Sequence, residues 1–278
     1  MEQQVVAPLP PVAPEDVGLP PIEPRSRLKR LFGPLAALGA LAAKFKGVLL
    51  LLPKLKLLTT SGTMLVSVAA YSLFWGWTFA AGFVVLLLVH EMGHVIQLRR
   101  EGVKASAPMF IPFMGAVVAM KELPKDALAE ARVGLAGPVL GSLGAALLIP
   151  VWKATGNEFW AALAFTGLFL NLFNLLPMLP LDGGRAMAAM APSMWLLGFG
   201  AMVGLAIWKP NPILILILLL GGMEAWRRWK SRRAGGEQDQ AYYQVAPRQR
   251  LVVGAVYVGL IIALAVGMDL THIARSLP

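Results

Sequence analysis

The stretch Val89-His90-Glu91-Met92-Gly93-His94 closes a long apolar run that begins at Phe79. If this segment is helical, His90 and His94 lie one turn apart on the same face, because positions i and i+4 stack along a helix. Two imidazoles in that arrangement can bind one divalent metal, and Glu91 between them could act on a metal-bound water. The spacing therefore predicts a metal site on a helix, at the edge of an apolar segment.

The setting of the motif favours function over a chance match. The chain has 3 histidines in all, and two of them lie in this motif. Both also lie within or at the edge of a hydrophobic run, where ionisable side chains are costly and usually functional.

The composition predicts an integral membrane protein. Of 278 residues, 57% are hydrophobic and only 14% are charged, whereas soluble domains average about 25% charged residues. The net charge of +10 does not indicate nucleic-acid binding, because the Lys and Arg residues cluster at the ends of apolar runs, as positive-inside topology requires. With no cysteine, disulfides and thiolate metal ligands are excluded. We expect an all-α polytopic fold with one membrane-embedded domain over residues 59–278.

Two N-terminal segments are expected outside the spans. Residues 1–30 combine a proline-rich stretch with a basic cluster, a composition that cannot build a core, so a disordered cytoplasmic tail is expected. Residues 31–58 are apolar but contain four lysines, which would be costly in the middle of a span. An amphipathic helix lying on the inner leaflet is favoured over a distorted span.

The remaining apolar runs predict about six or seven transmembrane helices in a multi-pass protein with a cytoplasmic N-terminus. The membrane is expected to be that of a bacterial cell. Arg99 and Arg100 place the histidine motif toward the cytoplasmic side. The run 105–120 is broken by two prolines and a glycine and is too short to span, so a re-entrant apolar hairpin buried against protein is expected. The expected spans are Thr63–Trp75, Thr78–Leu98, Val133–Val151, Phe159–Leu176, Met194–Trp208, Ile213–Trp226 and Leu251–Met268.

A third metal ligand is needed, because catalytic zinc sites generally use three protein ligands and leave one position open. His272 is a poor candidate, since the topology places it on the opposite side of the membrane. Asp182 follows a span that should end on the cytoplasmic side, so topology brings it to the depth of the two histidines. A helix-capping or turn aspartate before Gly183-Gly184 is the alternative for Asp182, and the spacing alone leaves both open.

The two segments together resemble the paired signature of the site-2 protease family. The members of this family are intramembrane zinc metalloproteases. The first segment is His90-Glu91-Met92-Gly93-His94, and the second is Asn174-Leu175-Leu176-Pro177-Met178-Leu179-Pro180-Leu181-Asp182-Gly183. The resemblance covers a core from about 77 to 190 and includes Ala136-Gly137-Pro138 and the broken hairpin at 108–120.

The resemblance implies one Zn²⁺ per chain and a membrane-anchored protein substrate, cut within or near its transmembrane segment. Many relatives carry a PDZ or C-terminal regulatory domain, but no stretch here is long and polar enough for either, so a compact form is expected. The resemblance also implies that His90, His94 and Asp182 bind zinc, that Glu91 is the general base and that Asn174 assists substrate or transition-state binding.

Two alternatives stay open. Interhelical hydrogen bonding would explain Asn174 as well as catalysis does, and it is the favoured explanation for Asn171, which falls outside the motif match. A non-proteolytic metal-binding membrane protein, either a carrier or a catalytically inert scaffold, is the other function to consider. A carrier would be expected to show an internal repeat or a second set of intramembrane ligands, and the sequence shows neither.

Overall fold

The histidine motif lies within a 24-residue helix, in agreement with its spacing. The computed structural model describes residues 60–118, 120, 122, 124–191, 193–234 and 241–273, and the predicted segments 1–30 and 31–58 fall outside them. The elements are α1 (Thr60–Trp75), α2 (Trp77–Arg100), β1 (Met109–Ile111), β2 (Gly115–Val117), α3 (Ala127–Ala146), α4 (Leu148–Thr155), α5 (Glu158–Asn174), α6 (Asp182–Met190), α7 (Met194–Trp208), α8 (Pro212–Ala234) and α9 (Pro247–Thr271).

Three helical stretches of the described chain are long and apolar enough to cross a membrane. They are α2, the stretch Ala127–Thr155 that contains α3 and α4, and α9, while α7 is a shorter apolar helix. The mostly helical, membrane-protein class is thus confirmed, and the expected total of six or seven spans stays a prediction. The span expected at 133–151 is divided, since α3 ends at Ala146 and α4 begins at Leu148.

Helices α2 and α3 approach each other closely where the motif lies. A Cβ atom added to Gly93 would fall 2.2 Å from the Ala136 carbonyl oxygen, so any side chain at this position would push the two backbones apart. Small residues allow such close helix packing in membrane proteins. The histidine face of α2 is consequently held directly against α3.

The second motif connects α5 to α6 and is held in place by the C-terminal helices. Asp182 is the first residue of α6. The Trp195 indole at the start of α7 donates a hydrogen bond of 2.7 Å to the Gly184 carbonyl oxygen. The Tyr257 hydroxyl on α9 donates one of 2.5 Å to the Leu175 carbonyl oxygen. Helices that follow Asp182 in the chain therefore fix the loop and helix that carry it.

The predicted apolar hairpin is present as an antiparallel pair, β1 and β2, in which Phe110 lies opposite Ala116. Helix α1 holds its first strand and its turn. The Thr63 hydroxyl accepts from the Phe110 amide at 3.2 Å, and the Tyr71 hydroxyl accepts from the Phe113 amide at 3.1 Å. The outer edge of β1 is therefore occupied by α1. That the hairpin re-enters the membrane stays a prediction.

Helix α8 continues to Ala234, well beyond the span expected to end at Trp226. An ion-pair network explains part of the extension. Glu224 lies 2.5 Å from Arg227 and 2.9 Å from Arg228, pairs that stabilise a helix at these spacings. Arg228 also reaches α3, where both of its terminal nitrogens contact the buried Glu130 carboxylate at 3.0 and 2.6 Å. The Glu130–Arg228 pair was not foreseen from the sequence.

Candidate metal centre

Three side-chain atoms from α2 and α6 converge at one buried point. The Nε2 atoms of His90 and His94 are 3.1 Å apart. Asp182 Oδ2 lies 3.1 Å from the first of them and 3.2 Å from the second. All three residues are at most 7% exposed. Within the described residues, these three side chains form a group of histidine and carboxylate ligands that could hold a metal ion.

The hydrogen-bond partners of the two imidazoles decide which nitrogen carries the proton. The Asn171 amide nitrogen donates to the Gly167 carbonyl oxygen at 2.7 Å, so the amide oxygen is the atom that faces His90 Nδ1 at 2.8 Å. His94 Nδ1 faces the Val133 carbonyl oxygen, also at 2.8 Å. Both partners are acceptors, so both Nδ1 atoms donate, and each neutral ring keeps a lone pair on Nε2.

When both rings are neutral, three lone pairs therefore point at one another without a hydrogen atom between them. Asp182 Oδ2 is buried and receives no hydrogen bond from any residue that the structure describes. Such an arrangement is unfavourable unless a cation occupies the centre. Ligand atoms around a tetrahedral zinc ion lie roughly 3.3 Å apart, close to the spacing found here. The donor set and its geometry thus fit one zinc ion.

Glycines on α3 provide the space in which these side chains lie. A Cβ atom on Gly137 would fall 2.2 Å from His94 Nε2, and one on Gly141 would fall 2.4 Å from the Asn171 amide oxygen. The part of α3 from Gly134 to Ala146, which is rich in glycine and alanine, is therefore a packing face that leaves room for the histidines and Asn171. A methyl group at either position would displace a side chain of the centre.

Glu91 lies beside the three converging atoms and is itself only 8% exposed. It is close enough to interact electrostatically with His90, His94 and Asp182, and with Arg185 in the first turn of α6. A carboxylate in that position is suited to exchange protons with a molecule bound at the centre.

The two asparagines of α5 differ in what they contact. Asn171 is 2% exposed and bonds His90, as described above. Asn174 is half-buried, and its amide nitrogen donates to the Leu170 carbonyl oxygen of its own helix at 3.1 Å. The part proposed for Asn174 in catalysis therefore stays a prediction. His272 is exposed at the end of α9, beside Phe165, and lies outside the centre.

The part of the chain that matches a known protein family contains both motifs. The model of peptidase family M50 matches residues 78–156 and 149–196, which contain the histidine motif, the glycine-rich helix and Asp182. Over this region, which is less than half of the chain, the sequence is similar to peptidase family M50. The resemblance to the site-2 protease family, predicted from the paired motifs, is thereby confirmed.

Two relatives support this resemblance. The zinc metalloprotease MJ0392 of Methanocaldococcus jannaschii is 31% identical over 160 residues, which are 56% of this chain and 45% of the relative. Rip3 of Mycobacterium tuberculosis is 31% identical over 162 residues, which are 53% of this chain and 40% of the relative. Its name describes it provisionally as a zinc metalloprotease. The match thus spans less than half the length of each relative. At the level of the family, zinc as the cofactor is also confirmed.

Asn171→Ala is expected to weaken zinc binding about 10- to 100-fold, the usual cost of losing the partner that fixes a ligand histidine. The reason is that His90 Nδ1 would lose its acceptor, and the ring would no longer be held with its Nε2 lone pair inward. The measurement is competition for zinc with a chelator of known affinity. Asn174→Ala is the matched control and should leave the affinity unchanged. An equal loss in both variants, or none in Asn171→Ala, would contradict the positioning role.

Proposed function

We propose that this protein is an intramembrane zinc endopeptidase, which hydrolyses a peptide bond within or near the transmembrane segment of a membrane-anchored protein. The observation that carries the proposal is the convergence of three free lone pairs beside a buried glutamate, on a helix long enough to span a membrane.

The chemistry follows from the residues of the centre. His90, His94 and Asp182 would hold the zinc ion, which when bound supplies Lewis acidity and makes a coordinated water more acidic. Glu91 would take a proton from the attacking water as the new carbon–oxygen bond forms. It would then deliver that proton to the amine nitrogen as the carbon–nitrogen bond breaks. Asn174 is the proposed donor of a further hydrogen bond to the substrate or transition state.

The hairpin suggests how an unwound substrate could be held. A helical segment must extend before water reaches its peptide bonds, and its freed amides then need partners in the membrane. Strand β2 packs against α2, and its backbone makes no hydrogen bond on the side away from β1 among the described residues. We therefore propose that the substrate adds as a strand to the outer edge of β2, because α1 already occupies the edge of β1.

The proposed membrane arrangement has the catalytic core, about residues 77–190, inside a membrane-embedded domain of six or seven spans over 59–278. The centre would lie toward the cytoplasmic side, because Arg99 and Arg100 end the helix that carries the histidines. The proline-rich tail and the segment 31–58 would remain on the cytoplasmic face.

The test uses the purified, zinc-loaded full chain and detergent-solubilised membranes of cells that lack it. After incubation, new protein N-termini are identified by labelling and mass spectrometry. We expect them to concentrate within or next to hydrophobic segments of about 20 residues. A metal-stripped sample is the control, and adding zinc back should restore the cleavage. New termini confined to soluble domains, or cleavage that persists after verified metal removal, would contradict the proposal.

A further inference from the structure

A groove of about 780 Å³ runs between α2, α3 and α9 on the lateral surface of the described helices. It is distinct in character from the metal centre. One end is lined by Arg100, Arg132 and Arg248, and the rest of the wall is mostly aliphatic, including Ile96, Val139 and Val256. The groove is thus cationic at one end and apolar along its length.

The three arginines lie at the same end of the groove because of where they fall in their helices. Arg100 is the last residue of α2, Arg132 is in the second turn of α3, and Arg248 is the second residue of α9. Within the described residues, Arg100 and Arg248 have no ion-pair partner, and Arg132 approaches Glu101 only at 3.6 Å. The positive charge at this end is therefore largely uncompensated.

The apolar wall is accessible and belongs to helices that can cross a membrane. Ile96 is 40% exposed, Val139 36% and Val256 42%. Of the three helices that form the groove, α2 and α9 are long and apolar enough to span a membrane, and α3 is the first part of the third such stretch of the described chain. The wall would therefore face hydrocarbon, while the arginines lie at the level of the headgroups.

We propose that this groove binds one anionic glycerophospholipid, with its phosphate at Arg100, Arg132 and Arg248 and an acyl chain along the aliphatic wall. Basic pockets between transmembrane helices at the cytoplasmic side bind anionic headgroups in this way. Neither half of the site would suffice, because the arginines select the charge and the groove selects a molecule with a long apolar chain.

The position of the groove on α2 argues for a lipid over a substrate helix. At about 100° per residue, Ile96 and Arg100 project roughly 140° and 180° away from Glu91. The groove therefore lies on the opposite side of α2 from the carboxylate, and a peptide bound in it would not reach that side. The lipid site does not rest on the proposed protease function.

The test measures lipid binding to the full chain in neutral detergent by native mass spectrometry. The probes are dioleoyl phosphatidylglycerol and, as a neutral lipid with the same chains, dioleoyl phosphatidylcholine. We expect preferential retention of the first. The Arg100→Gln/Arg248→Gln pair should weaken its binding about 30-fold, which is what roughly 1 kcal/mol for each basic residue near an anionic headgroup corresponds to.

The matched control removes the same charge from neighbouring positions. Arg99 and Arg250 are also exposed but do not line this groove, so the Arg99→Gln/Arg250→Gln pair should bind phosphatidylglycerol as the wild type does. Val256→Trp, which fills the apolar part, should weaken binding with all arginines present. Inorganic phosphate should not compete, since it lacks the acyl chain.

Four results would overturn the proposal. Equal losses in the two arginine pairs would show that only diffuse surface charge is involved. Equal retention of phosphatidylcholine would remove the role of the arginines, and competition by inorganic phosphate would remove that of the acyl chain. Displacement of phosphatidylglycerol by a single-span peptide would identify the groove as a protein-binding surface.

Discussion

Glu91→Gln is expected to leave zinc bound at one ion per chain and to lower peptide hydrolysis about 10²- to 10⁴-fold, the usual contribution of a general acid–base group. Zinc should stay because the three converging atoms belong to His90, His94 and Asp182. Hydrolysis should fall because glutamine has nearly the same shape but cannot accept a proton from water. The measurements are metal content by elemental analysis and the rate of cleavage by purified protein.

The same variant identifies substrates in cells. Membranes from cells that make Glu91→Gln should accumulate full-length precursors whose cleaved fragments appear with the wild type. Glu101→Gln is the matched control, because Glu101 follows α2 directly and contacts Gln97 at 2.9 Å, away from the centre. Undiminished cleavage by Glu91→Gln, or loss of its zinc, would contradict the assigned role. Loss of cleavage alone would also separate an enzyme from an inert scaffold.

His90→Ala and Asp182→Ala are each expected to lose stoichiometric zinc, together with cleavage. Each variant leaves two of the three ligand atoms. The loss should therefore exceed the 10- to 100-fold that removal of a supporting hydrogen bond causes. Zinc content after dialysis against a weak chelator measures the effect. His272→Ala is the control, because it removes the remaining histidine of the chain from an exposed position.

Secondary structure should be compared by circular dichroism in the same samples, so that unfolding is not taken for ligand loss. Helix content should be nearly unchanged, because neither substitution alters the close approach of Gly93 on α2 to the α3 backbone at Ala136. Undiminished zinc in both the His90 and Asp182 variants would overturn the ligand assignment.

The local features of the centre were predictable from the sequence because they depend on helix geometry. The i, i+4 spacing was enough to place His90 and His94 on one face. Asp182 required a further step, since only the expected topology, and then the family resemblance, brought it to the same depth. The structure places all three together, and α6 begins at Asp182 with Leu181 as its N-cap. The Asp182 side chain makes no capping hydrogen bond with the residues that the structure describes, so the helix-capping alternative gains no support from the structure.

Other features depend on tertiary contacts that one sequence does not reveal. Asn171 and Asn174 lie three residues apart on neighbouring parts of one helix surface. The motif match assigned the functional role to Asn174. The position of Gly141 opposite Asn171 decides which amide reaches a histidine. An available signal was the amide of Asn171 inside an apolar run, where such a group needs a partner. The Glu130–Arg228 pair joins residues 98 positions apart and had no local signature.

The contact from Tyr257 to the second motif affects how the chain can be divided. The family match ends at residue 196, yet the Leu175 carbonyl oxygen is bonded by a hydroxyl from α9. A fragment cut at the family boundary would contain both motifs and every ligand atom of the centre. It would lack the helix that braces the aspartate-bearing loop, so we expect that a fragment able to fold on its own must extend at least through residue 257.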